Sequence, residues 1–126
     1  MKIAQVADKL KYFIITQVDS MAKTTPLLNI VKPLVSRVID NNFNKVYSAL
    51  NLIADSNGEI DIENIISEMM NNLAVTSPFV LHTSFIGDME LGNGLIKINI
   101  PFTDKRIVFN RNDIENLKLL LTSNTE

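Results

Sequence analysis

Apolar residues recur at three- and four-residue steps through the start of the chain. Ile3, Val6, Ala7, Leu10, Phe13, Ile14, Val18 and Met21 share one side, and Lys2, Asp8, Lys9, Lys11 and Asp19 take the other. This period predicts an amphipathic helix that ends near Ala22 to Thr24. A second helix starts at Thr25 as N-cap with Pro26 in the first helical position, where its missing N–H is no loss. Its apolar phase runs Leu27, Leu28, Val31, Leu34, Val35, Val38, Ile39, Phe43, Val46, Leu50 and Ile53. Pro33 lies too deep to be a start residue and predicts a kink near Asn29. Gly58 is expected as the left-handed stop.

Residues 26–56 as one helix would span ~46 Å. A domain of 126 residues has a diameter nearer ~36 Å. The chain is therefore elongated, bent at Pro33, or completed by another copy of itself, and this excess is the main argument in the sequence for self-association.

A third helix begins at Asp61 as N-cap, with Glu63 in the first turn where the helix dipole favours a negative charge. Ile62, Ile65, Ile66, Met69, Met70 and Leu73 form its stripe, and it ends before Ser77-Pro78. From Phe79 the period changes from 3.6 to 2. The strands expected first are 85–91, with Phe85, Gly87, Met89 and Leu91 inward, and 95–100, with Ile96, Ile98 and Ile100 inward. An Asn93-Gly94 turn of type I′ joins them and sets Glu90 opposite Lys97. A second turn at Asp104-Lys105 would pair Phe102 with Ile107 and Ile100 with Phe109. Pro101 is the weak point of that strand, because it cannot donate to a ladder, and a bulge is expected there. Asn112 as N-cap with Glu115 at N3 opens a closing helix, and the tail from Ser123 is expected to fray.

The fold class is therefore α+β: three N-terminal helices, the second long, then a three-stranded antiparallel β-meander and a C-terminal helix. Residues 1–76 form the helical part and 77–126 the meander with its closing helix, in one continuous domain.

Composition narrows the chemistry. The chain has a formal charge of −2, 46% apolar residues, one His and no Cys. Without thiols there are no disulfides, thiolate metal sites or thiol nucleophiles. Asp8, Lys9 and Lys11 interrupt any secretory h-region, and no apolar run approaches the ~18 residues that span a bilayer. The expected setting is the cytoplasm of a cell or host, or a virion, with no membrane contact. Sixteen Ile, 15 Asn and nine Lys against three Arg are biases of AT-rich codons and point to a low-GC bacterium or its phage.

Charge is segregated. Residues 1–54 hold seven basic and three acidic side chains, whereas 55–96 hold seven acidic and no basic ones. The acidic middle either folds against the basic N-terminal part or meets a basic partner.

The candidate motifs fail on spacing. Asp55-Ser56-Asn57-Gly58-Glu59-Ile60-Asp61-Ile62-Glu63 echoes a calcium loop, but neither register supplies the bidentate carboxylate at position 12. His82 with Ser84 and Asp88 on one strand does not meet triad geometry, and a single His without Cys does not make a zinc site. Gly92-Asn93-Gly94 lacks the lysine and helix of a phosphate loop. Asp61/Glu63 and Asp88/Glu90 sit in no apolar cleft that would raise a pKa. Lys105, Arg106 and Arg111 are too few for a nucleic-acid footprint in a chain of pI about 5.4.

No catalytic, cofactor or metal residue is expected. The reading is a non-catalytic structural or assembly component that associates with itself or a larger protein assembly. The alternative is an acidic adaptor or inhibitor that binds a basic surface. Val38, Phe43, Val46, Asp55, Glu59 and Glu63 are the expected contact residues.

Overall fold

The computed structural model describes residues 1–83 and 87–123. Expectations placed on residues 84–86, on 124–126 and on the side chain of His82 lie outside the described residues. The elements are α1 (Ile3–Ala22), α2 (Pro26–Ile53), α3 (Ile62–Leu73), β1 (Phe79–Thr83), β2 (Gly87–Gly92), β3 (Leu95–Asn99), β4 (Arg106–Asn110) and α4 (Arg111–Thr122). The class is α+β, with a four-stranded antiparallel sheet in the order β1-β2-β3-β4, not a three-stranded one. The added strand, Phe-Val-Leu-His-Thr, is rich in aromatic and branched side chains and pairs Leu81 with Met89 and Val80 with Glu90.

The β2–β3 register is the one the Asn-Gly turn predicts: Gly92 opposite Leu95, Leu91 opposite Ile96, Glu90 opposite Lys97 and Met89 opposite Ile98. Asn93 and Gly94 both adopt positive φ, 52° and 79°, as a type I′ turn requires. The β3–β4 register departs from expectation by four residues. Ile96 faces Phe109 and Ile98 faces Ile107, so there is no tight turn at Asp104-Lys105. The ladder stops at Asn99, and Pro101 lies in a connection over residues 100–105. A residue without an N–H ends the strand instead of bulging it. Four residues is an even shift, so the same apolar faces still meet.

Helix limits also move. α2 ends at Ile53, with the Ala54 amide bonded to the Leu50 carbonyl at 3.0 Å. Gly58 has φ +72° but belongs to the turn after the helix, where its amide bonds to the Asp55 carbonyl at 3.0 Å. Pro33 lies within the helix, so the Asn29 carbonyl has no donor at i+4. The N-cap of α4 is Asn110, not Asn112. Asn110 Oδ1 accepts from the Asp113 amide at 2.9 Å, and Asp113 Oδ2 accepts from the Asn110 amide at 2.8 Å. Asp61 caps α3 as expected, accepting from the Asn64 amide at 3.3 Å.

One sheet face carries Leu91, Ile96, Ile98, Ile107 and Phe109, all buried. Helices cover it: α3 lies against β2 and α4 against β4, and α4 fills the space between α3 and α1. Phe13 of α1 stacks on Phe109 with ring centroids 4.8 Å apart. The principal neighbour of α2 is α1, which places α2 at the outer end of the helical row.

Candidate interaction surface

Two apolar stripes run along α2. Leu28, Val35 and Ile39 are buried against the core, with Leu50 further along the same side. Leu27, Ile30 and Leu34 stand about 100–160° around the helix from the centre of the first three, at 100° per residue, and are 55%, 75% and 47% exposed. Val31 and Val38 lie between the stripes and are half-buried. Ion pairs that tie α2 to α1 include Lys11 with Asp40 at 2.5 Å and Lys32 with Asp19 at 3.4 Å. The exposed stripe repeats at i, i+3 and i+7, the spacing at which one helix offers a continuous ridge to another.

The expected contact residues separate. Val38 borders the exposed stripe. Phe43 and Val46 are half-buried and pack against the chain's own core. Asp55, Glu59 and Glu63 gather around the α2–α3 connection and find partners within the chain. Asp55 Oδ1 accepts from the amides of Asn57 and Glu59, each at 2.9 Å. The Glu59 carboxylate lies 2.6 Å from the Met1 ammonium and 3.0 Å from Lys2 Nζ. Hydrogen bonds from that ammonium and from Lys2 hold its carboxyl below the ordinary range. Glu63 faces Lys118 at 3.4 Å.

Sequence reasoning missed Leu27, Ile30 and Leu34 as a separate surface. The available signal was Ile30, which does not fit the phase of Leu28, Val35 and Ile39.

The outer sheet face is polar. Glu90 pairs with Lys97 at 3.5 Å, and Arg106 Nε donates to Asn99 Oδ1 at 3.2 Å. With Val80 and Asp88 these residues line a shallow hollow. Among the described residues no three His, Asp or Glu side chains gather as metal ligands, and no helix is long and apolar enough to cross a membrane.

Comparison with known proteins adds no likeness to this geometry: no family model matches the chain, and neither does any curated protein or solved structure.

Proposed function

We propose that this chain is a non-catalytic assembly component that associates with copies of itself through α2. The observation that carries the reading is the exposed stripe of Leu27, Ile30 and Leu34 on the outermost helix. Burying the exposed parts of these three side chains is worth about 3–5 kcal/mol per copy. Association costs about 4–15 kcal/mol in lost freedom, so this contact alone gives a weak oligomer. Glu59, Glu63 and Glu90 face cations of their own chain, which supports self-association over the acidic adaptor. The lack of Cys fits a reducing setting, and we place the protein in a cytoplasm or in a particle assembled there.

Light scattering on the pure protein tests this. The parent chain should show a discrete oligomer at about tens of micromolar, a range set by the affinity arithmetic. Leu34→Asp should lower that mass while circular dichroism keeps the helical signal. A parent that stays monomeric, or a Leu34→Asp variant that keeps its mass, would refute the proposal.

A further inference from the structure

Residues 1 and 2 are held against residues 57–60, and the hold runs through the amine of Met1. The Ile60 amide donates to the Met1 carbonyl at 2.7 Å, and the Met1 ammonium donates to the Ile60 carbonyl at 3.3 Å. The two segments exchange a pair of bonds as antiparallel strands do, with Lys2 opposite Glu59. The Met1 nitrogen stands where a strand amide would stand, yet it also lies 2.6 Å from Glu59 Oε2. A tight turn presents that carboxylate. The Glu59 amide donates to Asp55 Oδ1 at 2.9 Å, and the Glu59 carbonyl accepts from the Asp55 amide at 3.0 Å. Lys2 Nζ lies 3.0 Å from the other carboxylate oxygen and donates to the Asn57 carbonyl at 3.1 Å. The Met1 side chain packs against the core, and Ile60 is buried.

We infer that the turn before α3 is a site for a free primary amine, and that an acyl group on the Met1 nitrogen opens it. The argument rests on protons. An ammonium carries three, and this one places one on the Ile60 carbonyl and another on the Glu59 carboxylate. An acylated nitrogen carries one proton and no charge. It can serve the carbonyl or the carboxylate, not both, and in either case Glu59 loses a cation partner. A bond to an ionised group is the stronger kind, so its loss outweighs that of a neutral bond. α1 starts at Ile3, directly after the bridge. Its first turn hangs on Lys2, whose amide donates to Gln5 Oε1 at 3.2 Å and whose carbonyl accepts from the Val6 amide at 3.1 Å. Val6 and Ala7 are core residues. Loosening at residues 1 and 2 therefore reaches the start of α1. The chemical state of one nitrogen sets how firmly α1 is joined to the α2–α3 connection. This device is independent of the α2 stripe.

Two preparations of the full chain test this, one with a free Met1 amine and one with Met1 carrying an Nα-formyl group, told apart by mass. The readout is hydrogen exchange of the Ile60 amide, which the bridge protects. The formyl group should speed that exchange by about two- to fivefold, the range of a half-exposed ion pair. The same comparison in Glu59→Gln, which keeps the shape of the side chain and removes its charge, should give a clearly smaller change. Each comparison stays within one background, so the intrinsic exchange rate of the amide cancels. Equal exchange in the free and formylated parent would overturn the inference. So would a formyl effect as large in Glu59→Gln as in the parent, because bulk at the first residue, and not amine binding, would then be its source.

Discussion

The amide of Gly94 donates to the carbonyl of Leu73 at 2.7 Å, so the turn of a β-hairpin closes the C-terminus of a helix. Asn93 adds a second bond, to the Val75 carbonyl at 2.7 Å. The last carbonyls of a helix have no partner of their own, and here the β2–β3 turn supplies donors. This contact ties α3 to the sheet and sets the height at which α3 covers β2.

Beside this turn, the backbone of Pro78 leaves no room for a side chain at Gly92. Gly92 adopts φ +139°, and a Cβ there would lie 2.8 Å from Pro78 Cα, a backbone atom that cannot swing aside. Gly92→Ala should lose more than the ~1–3 kcal/mol of a strained backbone position alone. A Cβ at Gly94 meets nothing within 4 Å. Gly94→Asn, which tolerates positive φ, should lose under about 1 kcal/mol. Urea unfolding of the two variants measures the difference, and equal losses would contradict this packing.

The capping box of α4 separates two registers of the helix start. Asn110→Ala should lose about 0.5–2 kcal/mol, because the Asp113 amide loses its acceptor. Asn112→Ala is exposed within the first turn and should be near neutral or slightly stabilising, Ala being the better helix former. Thermal unfolding distinguishes the two, and a larger loss at 112 than at 110 would place the cap elsewhere.

The residues show why some of this architecture was legible. The Glu90–Lys97 pairing follows from parity, because isoleucines at 96 and 98 must share a face with Met89 and Leu91, and Asn-Gly admits one turn. The β3–β4 connection offered no such turn. Phe102 continues the apolar alternation of Ile98 and Ile100, yet it sits 62% exposed outside the ladder. Pro101 marked the break, and the break proved to be the end of the strand. On α2, apolar residues stand at neighbouring positions such as 27 and 28 or 34 and 35. A one-dimensional phase merges them, and only the placement of α1 shows which of each pair is covered. Phe43 and Val46, expected as contact residues, are half-buried against the chain's own core.

Acid should reveal the Glu59 contact. Its carboxyl is held below the ordinary value near 4.5, first by the N-terminal ammonium and then by Lys2, with burial opposing. A depressed folded value means that the unfolded chain binds the proton first as pH falls. The stabilisation is complete above about pH 4.5, the unfolded value, and is lost as pH drops through the lowered folded value. Glu59→Gln should be less stable than the parent near neutral pH, and the gap should close in acid. A gap that stays constant from neutral to acid pH would show that the carboxylate charge is not the source.

Phe102 has a left-handed backbone, φ +68°, which is costly for a bulky side chain. The connection around it holds that conformation. The Ile100 amide bonds to the Lys105 carbonyl at 2.9 Å. The Thr103 hydroxyl donates to the Ile100 carbonyl at 3.0 Å and accepts from the Lys105 amide at 3.1 Å. The ring is mostly exposed and returns little burial for the strain. Phe102→Asn should therefore keep or raise stability, by up to about 1 kcal/mol, since Asn accepts positive φ more readily. Thr103→Ala should lower it by about 1 kcal/mol, because two hydrogen bonds that shape the loop disappear. Urea unfolding of both variants gives the comparison. If Phe102→Asn lost more than Thr103→Ala, the ring would be a packing element of the fold, and its exposed position would be wrong.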